Sequence, residues 1–133
     1  GKRKEPFVFL QGVGPKVRLF GRDVRFCDKE ASFEVLPPPE KKATVKLRLF
    51  SPFDFANAYW YGNYAQQLRI LLENGRIIEQ PLRDGTNIVA FDLDRPEGRP
   101  GPFKVRIEFR FHLLFDFANL RKTAALLEDA GLE

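Results

Sequence analysis

Every tyrosine and tryptophan of the chain falls between positions 59 and 64: Tyr59, Trp60, Tyr61 and Tyr64. They sit in the segment FDFANAYWYGNYAQQ with Asp54, Asn57, Asn63, Gln66 and Gln67. Tyr and Trp present a flat apolar face and a hydrogen-bonding tip, which suits them to a partner that is half apolar and half wet. A sugar ring is such a partner, because its C–H face stacks on an aromatic ring while amides and carboxylates meet its hydroxyls. A peptide would fit as well. This chemistry makes Asp54, Asn57, Tyr59, Trp60, Tyr61, Asn63 and Tyr64 the candidate ligand-binding residues. The competing expectation is a loop that tucks its own aromatics under a sheet edge. Solvent exposure of Tyr59, Trp60 and Tyr61 separates the two readings.

A second constellation is basic. Lys46, Arg48, Lys104, Arg106 and Arg110 alternate with apolar residues, so each is expected on the wet side of a strand. Neighbouring strands would fuse them into one patch open to an anionic partner such as a glycan or lipid head group. Glu108 interrupts that stripe, and charges on exposed sheet faces also serve solubility and block edge pairing. Lys and Arg exceed Asp and Glu by 22 against 18, a net +4 too mild to call for nucleic acid as a partner.

Catalytic arrangements do not emerge. Ser32 and Ser51 are the only serines, and neither lies in a nucleophile elbow. His112, the single histidine, falls on the outward side of its expected strand. Cys27 stands alone, far from that histidine, and reads as a small core residue. No metal-ligand spacing appears, Gly12 and Gly14 lack the rest of a dinucleotide loop, and no pair of carboxylates stands out. The chain is therefore expected to be non-enzymatic, with no cofactor and no metal.

These residues must be held by strands. Val45, Leu47 and Leu49 alternate with Lys46 and Arg48, and residues 103–111 alternate Phe, Val, Ile, Phe, Phe against Lys, Arg, Glu, Arg. Shorter runs of the same kind occupy 7–10, 16–20, 24–27, 32–36, 68–73, 76–79 and 87–93. Fourteen phenylalanines add to the strand preference. Asn74-Gly75 predicts a two-residue type I′ hairpin, Pro37-Pro38-Pro39 closes a strand, and RPEGRPGP (95–102) is a loop. Eight or nine short strands with one wet face predict an all-β, two-sheet antiparallel sandwich of jelly-roll type. The tail breaks the rhythm: in LRKTAALLEDAGLE, Leu120, Thr123, Ala124 and Leu127 share a helical face, with Asn119 as N-cap and Gly131 past the end, which predicts a helix over 119–131.

The word FDFAN occurs at 53–57 and again at 115–119. The copies diverge on their C-terminal sides, so they read as two strand exits pinned by phenylalanines rather than an internal duplication.

At 133 residues the chain is expected to be one domain. No apolar run is long enough to span a bilayer as a helix, so direct membrane insertion is not expected. The start, Gly1-Lys2-Arg3-Lys4, with no methionine in the chain, suggests a domain excised from a longer protein, with residues 1–5 a disordered basic end. Whether the final Leu132-Glu133 is native is left open.

Taken together, VRFCDKEASFEVLPPP (24–39), VKLRLFSP, LRILLENGRIIEQPL, TNIVAFDL and GPFKVRIEF resemble the small jelly-roll or galactose-binding-like sandwiches of bacterial cell-surface glycan proteins, often attached to membrane-embedded glycosyltransferases. That group often has tryptophan where Phe26 stands, and many members continue into a last strand where this sequence reads as helix. The resemblance implies a non-catalytic, extracytoplasmic accessory module, with a glycan or the membrane domain of a parent protein as partner. The alternative is a structural or protein-interaction domain without a small-molecule ligand.

Overall fold

The computed structural model describes residues 6–19, 21–37, 43–51, 66–93, 101–111, 113–116 and 121–133, and side chains within those except for 113–122. The fold is all-β. Its strands are β1 (Phe7–Val13), β2 (Val17–Leu19), β3 (Arg22–Val35), β4 (Ala43–Ser51), β5 (Gln66–Leu72), β6 (Ile77–Leu82), β7 (Gly85–Leu93), β8 (Phe103–Phe109), β9 (Leu113–Asp116), β10 (Arg121–Thr123) and β11 (Ala125–Leu132).

One hydrogen-bonded path runs β6-β5-β8-β3-β11-β4-β7, with β1 and β2 also on β3, and β9 pairs β10 separately. All pairings are antiparallel. The path makes a two-layer sandwich because β3 serves both layers. Its C-terminal half pairs β8 from Glu30 to Val35, and its N-terminal half pairs β11 from Arg25 to Cys27. The sequence suggests two strands here, 24–27 and 32–36; the structure joins them into one strand of 14 residues.

Period-two alternation does what it predicts. Val45, Leu47 and Leu49 of β4 and Val89, Phe91 and Leu93 of β7 meet Phe33 and Val35 of β3, Val105 and Ile107 of β8, and Leu68 and Ile70 of β5 in one core. Lys46, Arg48, Lys104 and Arg106 are turned outward. Gln66 is a buried polar exception at 1% exposure. Its amide donates to the carbonyls of Phe111 (2.9 Å) and Ala124 (3.1 Å) and accepts from Phe111 N–H (2.9 Å), so it enters the core fully bonded.

Two local expectations need correction. The Asn74-Gly75 hairpin is not a two-residue turn: Leu72 and Arg76 close it (N–H to O, 3.0 Å), Gly75 N–H returns to Leu72 O at 3.0 Å, and Gly75 takes φ +87°. This is a three-residue loop in which glycine supplies the left-handed position. The C-terminal helix is not formed. Residues 121–123 and 125–132 are strands, and Gly131 lies inside β11 opposite Lys46. Asn119, its expected cap, lies outside the described residues, as do residues 1–5 and most of the 95–102 loop.

The misreading has a physical cause. A bulge at Glu128 sets Leu127 opposite Leu49 but Asp129 opposite Arg48. The core side of β11 is therefore reached at Leu127 and next at Ala130, so the period of two that marks a strand is broken. Burial on both sides of the sheet adds consecutive apolar residues, Ala124 to Leu127, which periodicity cannot assign.

Two outcomes follow from this packing. Gly12 has φ +71°, and a Cβ there would press on the Glu30 carbonyl and lie 2.8 Å from Ala31 Cα, whereas a Cβ on Gly75 would meet nothing within 4 Å. Gly12→Ala should lower stability by more than ~2 kcal/mol in denaturant titration and Gly75→Ala by ~1 kcal/mol. A chain ended before Ala125 should fail to give a cooperative unfolding transition, because it would leave facing edges of β3 and β4 unpaired; a sharp transition in that truncation would contradict the central role of β11.

Candidate functional site

Besides the main core, Val24 and Phe26 of β3 and Leu126 of β11 form a second buried cluster on the outer face of the layer that contains β11, with Val17, Leu19 and Phe50 packed against it. An outer sheet face is normally wet, so apolar residues there need a cover or a use. Beside this cluster lies a cleft of about 260 Å³. Leu19, Val24, Phe50 and Leu126 give it an apolar floor and walls, and Arg22 and Glu128 give it a polar rim.

The bulge at Glu128 builds that rim. It lets Glu128 and Asp129 both avoid the core before Ala130 and Leu132 return to it, so the carboxylate stays beside Leu126 on the cleft face. The Glu128 side chain is only 10% exposed, yet its oxygens accept from Arg22 Nη1 at 3.4 and 3.5 Å and from Thr86 Oγ1 at 3.3 Å. These contacts are long for charge-assisted hydrogen bonds. A guanidinium and a carboxylate thus sit together at the edge of an apolar floor, with the Thr86 hydroxyl bonded to the same carboxylate. Such an arrangement can stack the C–H face of a ring and exchange hydrogen bonds with its substituents.

Phe50 also marks where the sequence-predicted binding segment leaves the sheet. Residues 52–65 join Ser51 of β4 to Gln66 of β5, both 1% exposed, so the segment is rooted in the core at both ends and links the two layers. Asp54, Asn57, Tyr59, Trp60, Tyr61, Asn63 and Tyr64 themselves lie outside the described residues, as does the first FDFAN. In the second FDFAN, Phe115 and Asp116 end β9, and the rest lies outside the described residues.

The basic residues are not brought together. Lys46 and Arg48 are on β4, Lys104 and Arg106 on β8, and these strands lie in opposite layers with β3 and β11 between them along the path. Their outward sides face away from each other. Several are also matched: Lys46 Nζ to Glu133 at 3.1 Å, Arg106 to Glu30 at 3.3 Å and to Glu108 at 3.4 Å. Arg110, just past β8, has its guanidinium 4.9 Å from the Phe111 ring centre. One continuous anion-binding stripe is therefore not what these residues form.

Cys27 is fully buried in the main core, and burial pushes its thiol from 9.0 up to about 12. Ser32 and Ser51 are buried as well, and His112 lies outside the described residues. Among the described residues no cluster of His, Cys, Asp and Glu has the makings of a metal site, and no helix is long and apolar enough to cross a membrane.

No protein-family model matches the sequence, and no curated protein matches it. Solved structures do resemble the fold. A CBM35 module from Cellvibrio japonicus Abf62 superposes with a TM-score of 0.54 at 10% identity, over 96% of this chain and 92% of that one. What the two share is the fold. A mutant of CBM29-2, studied for ligand recognition by family 29 carbohydrate-binding modules, superposes more loosely, with a TM-score of 0.40 at 10% identity over 94% of this chain and 79% of that one.

Sequence reasoning missed Leu19, Arg22, Val24, Phe50, Leu126 and Glu128. A signal for part of the cleft was available. Val24 and Phe26 are on the opposite face of β3 from Cys27, and Leu126 is on the opposite face of β11 from Leu127; apolar residues on both faces of one strand say that the outer face is covered or used.

The thiol gives a direct check on the core. Its raised folded-state pKa contributes stability that is whole below about 9 and is lost as pH climbs toward about 12. In the native protein Cys27 should resist a thiol reagent at pH 8 and react at once in guanidinium, and Cys27→Ala should flatten the alkaline limb of the stability curve. Rapid native labelling would contradict the packing of β3 against β11.

Proposed function

We propose that this chain is a non-catalytic carbohydrate-binding module. In this reading the ligand rests on the Phe50 and Leu126 side of the outer cleft and is gripped from residues 52–65 by Tyr59, Trp60, Tyr61 and Tyr64, with Asp54, Asn57 and Asn63 meeting its hydroxyls. The observation that carries it is the position of the cleft. An apolar floor with a guanidinium and a carboxylate at its rim, the carboxylate also bonded by the Thr86 hydroxyl behind it, lies at the root of the one segment that contains every Tyr and Trp. Support comes from a fold shared with a module named as carbohydrate-binding over 96% of the chain. The sequence resemblance to cell-surface glycan sandwiches supports the finer reading of an extracytoplasmic accessory to a membrane-bound glycan-processing protein.

Affinity in such a shallow site comes from a few anchors, so single substitutions should be felt. On a glycan array followed by titration calorimetry, the wild type should bind a saccharide. Trp60→Ala and Glu128→Gln should each weaken that binding about tenfold or more, with the thermal unfolding midpoint retained. No saccharide response from the wild type would overturn the proposal. Binding that survives both substitutions would overturn the assigned site.

A further inference from the structure

The ladder between β3 and β11 is short, and its last pair is Arg25 with Leu127. Beyond it β3 runs back to Arg22 beside β2 while β11 runs on to Leu132 beside β4, so the two strands part and leave a fork in the layer. Backbone direction shows what faces the gap. Gly14 N–H donates to the Phe26 carbonyl (2.9 Å) on the side of β3 away from β11, and Ala124 N–H donates to the Cys27 carbonyl (2.8 Å) on the side toward it. Alternation therefore turns the N–H and C=O of Asp23 into the fork. On β11, Glu133 exchanges both backbone bonds with Thr44, and Asp129 and Gly131 lie opposite Arg48 and Lys46. Ala130 between them thus turns its N–H and C=O away from β4 and into the fork from the other side. No described strand occupies the gap between Asp23 and Ala130.

A cleft of about 250 Å³ lies at this fork. Asp23 and Ala130 line it, Phe9 and Leu127 give it apolar walls, and Lys16 and Arg25 bring cations. Arg25 is held in place: its Nη1 donates to the Gly14 carbonyl at 3.1 Å, and its guanidinium lies 4.8 Å from the centre of the Phe9 ring. The remaining guanidinium N–H groups are left for a ligand. Lys16 makes no ion pair among the described residues. This cleft shares Val24 and Glu128 with the outer cleft. They are the first residues past the last pair on each strand, so the two clefts meet where the strands part.

We infer that the fork is a second subsite of the glycan site, and that the ligand is a neutral saccharide chain of more than one ring, lying from Phe50 and Leu126 across Glu128 to Ala130. The inference rests on the carbohydrate reading. From Leu126 to Ala130 an extended strand spans on the order of 13 Å, longer than a single ring. Neither cleft alone reaches the roughly 300 Å³ at which pockets for drug-sized ligands begin, whereas the two together do. The chemistry of the fork suits hydroxyls: each one both donates and accepts, and Asp23 and Ala130 offer N–H and C=O side by side. Lys16 and Arg25 stand against three carboxylates, Asp23, Glu128 and Asp129, so no excess of positive charge selects an anionic chain.

Titration calorimetry of the full chain tests this with glucose, galactose, mannose and xylose, each as the monomer and as its linear dimer, trimer and tetramer. For the sugar that binds, the trimer should bind about tenfold or more tightly than the monomer. Ala130→Leu fills the fork and should erase that gain; Lys16→Ala removes one of its cations and should reduce the gain severalfold. Both should leave the monomer's affinity as it is in the wild type, whereas Trp60→Ala should weaken monomer and chain alike. Lys16 is exposed, so its variant keeps the fold whatever Ala130→Leu does. Equal affinity for monomer and trimer, or a length gain that survives both fork variants, would overturn the second subsite and leave the carbohydrate reading standing. Preference for an oligogalacturonate over every neutral chain would overturn the neutral assignment. Silence toward every saccharide would sink the carbohydrate reading and this inference with it.

Discussion

The middle of one layer depends on the last strand of the chain. A buried backbone N–H or C=O must find a partner, and between β3 and β4 only β11 supplies one. It gives one edge to residues 25–27 and the other to residues 45–50. Until residues 125–132 arrive, β4 and β7 form a separate hairpin-like pair with an open side, and the N-terminal half of β3 has no neighbour toward them. The contacts that complete the fold therefore join residues about a hundred positions apart in sequence, such as Leu126 with Phe26. Such non-local pairing favours slow, cooperative folding over stepwise assembly.

This constraint shows why some of the architecture was legible in the sequence and some was not. Strands with one wet face announce themselves: β4 and β7 were readable to within a residue or two from Val45 to Leu49 and Asn87 to Leu93, and β8 from its start at Phe103, although its alternation runs on past the strand's end at Phe109 to Phe111 and His112. β11 was not, because a strand that is central and bulged loses both features that mark a strand. Its interior residues are apolar on both faces, and the bulge at Glu128 breaks the period. Alanine and leucine then favour a helix by propensity, and long-range pairing overrides them. The resemblance to sandwiches with a last strand pointed the right way at the place where local pattern pointed the wrong way.

The site divides along the same line. Residue chemistry drew attention to Tyr59, Trp60, Tyr61 and their polar neighbours, because Tyr and Trp are conspicuous when confined to one segment. The cleft residues are inconspicuous: Leu19, Val24, Phe50 and Leu126 look like any core residues, and they gather only once β2, β3, β4 and β11 are side by side. The basic residues show the converse. Alternation correctly turns Lys46, Arg48, Lys104 and Arg106 outward, but orientation within a strand says nothing about which strands are neighbours. The order β8-β3-β11-β4 separates them across the sandwich.

The cleft and the closure of the fold are thus one structural event. Leu126 and Glu128 belong to β11, Arg22 and Val24 to the half of β3 that β11 pairs or adjoins, and Phe50 lies opposite Leu126. No partly folded form lacking β11 can offer this floor and rim, so a ligand that rests there binds the native state alone. Such a ligand shifts the global folding equilibrium by mass action instead of ordering a loop on a finished scaffold. Stability and binding at this cleft are therefore linked, because the strand that completes the sheet also carries part of the cleft's floor and rim.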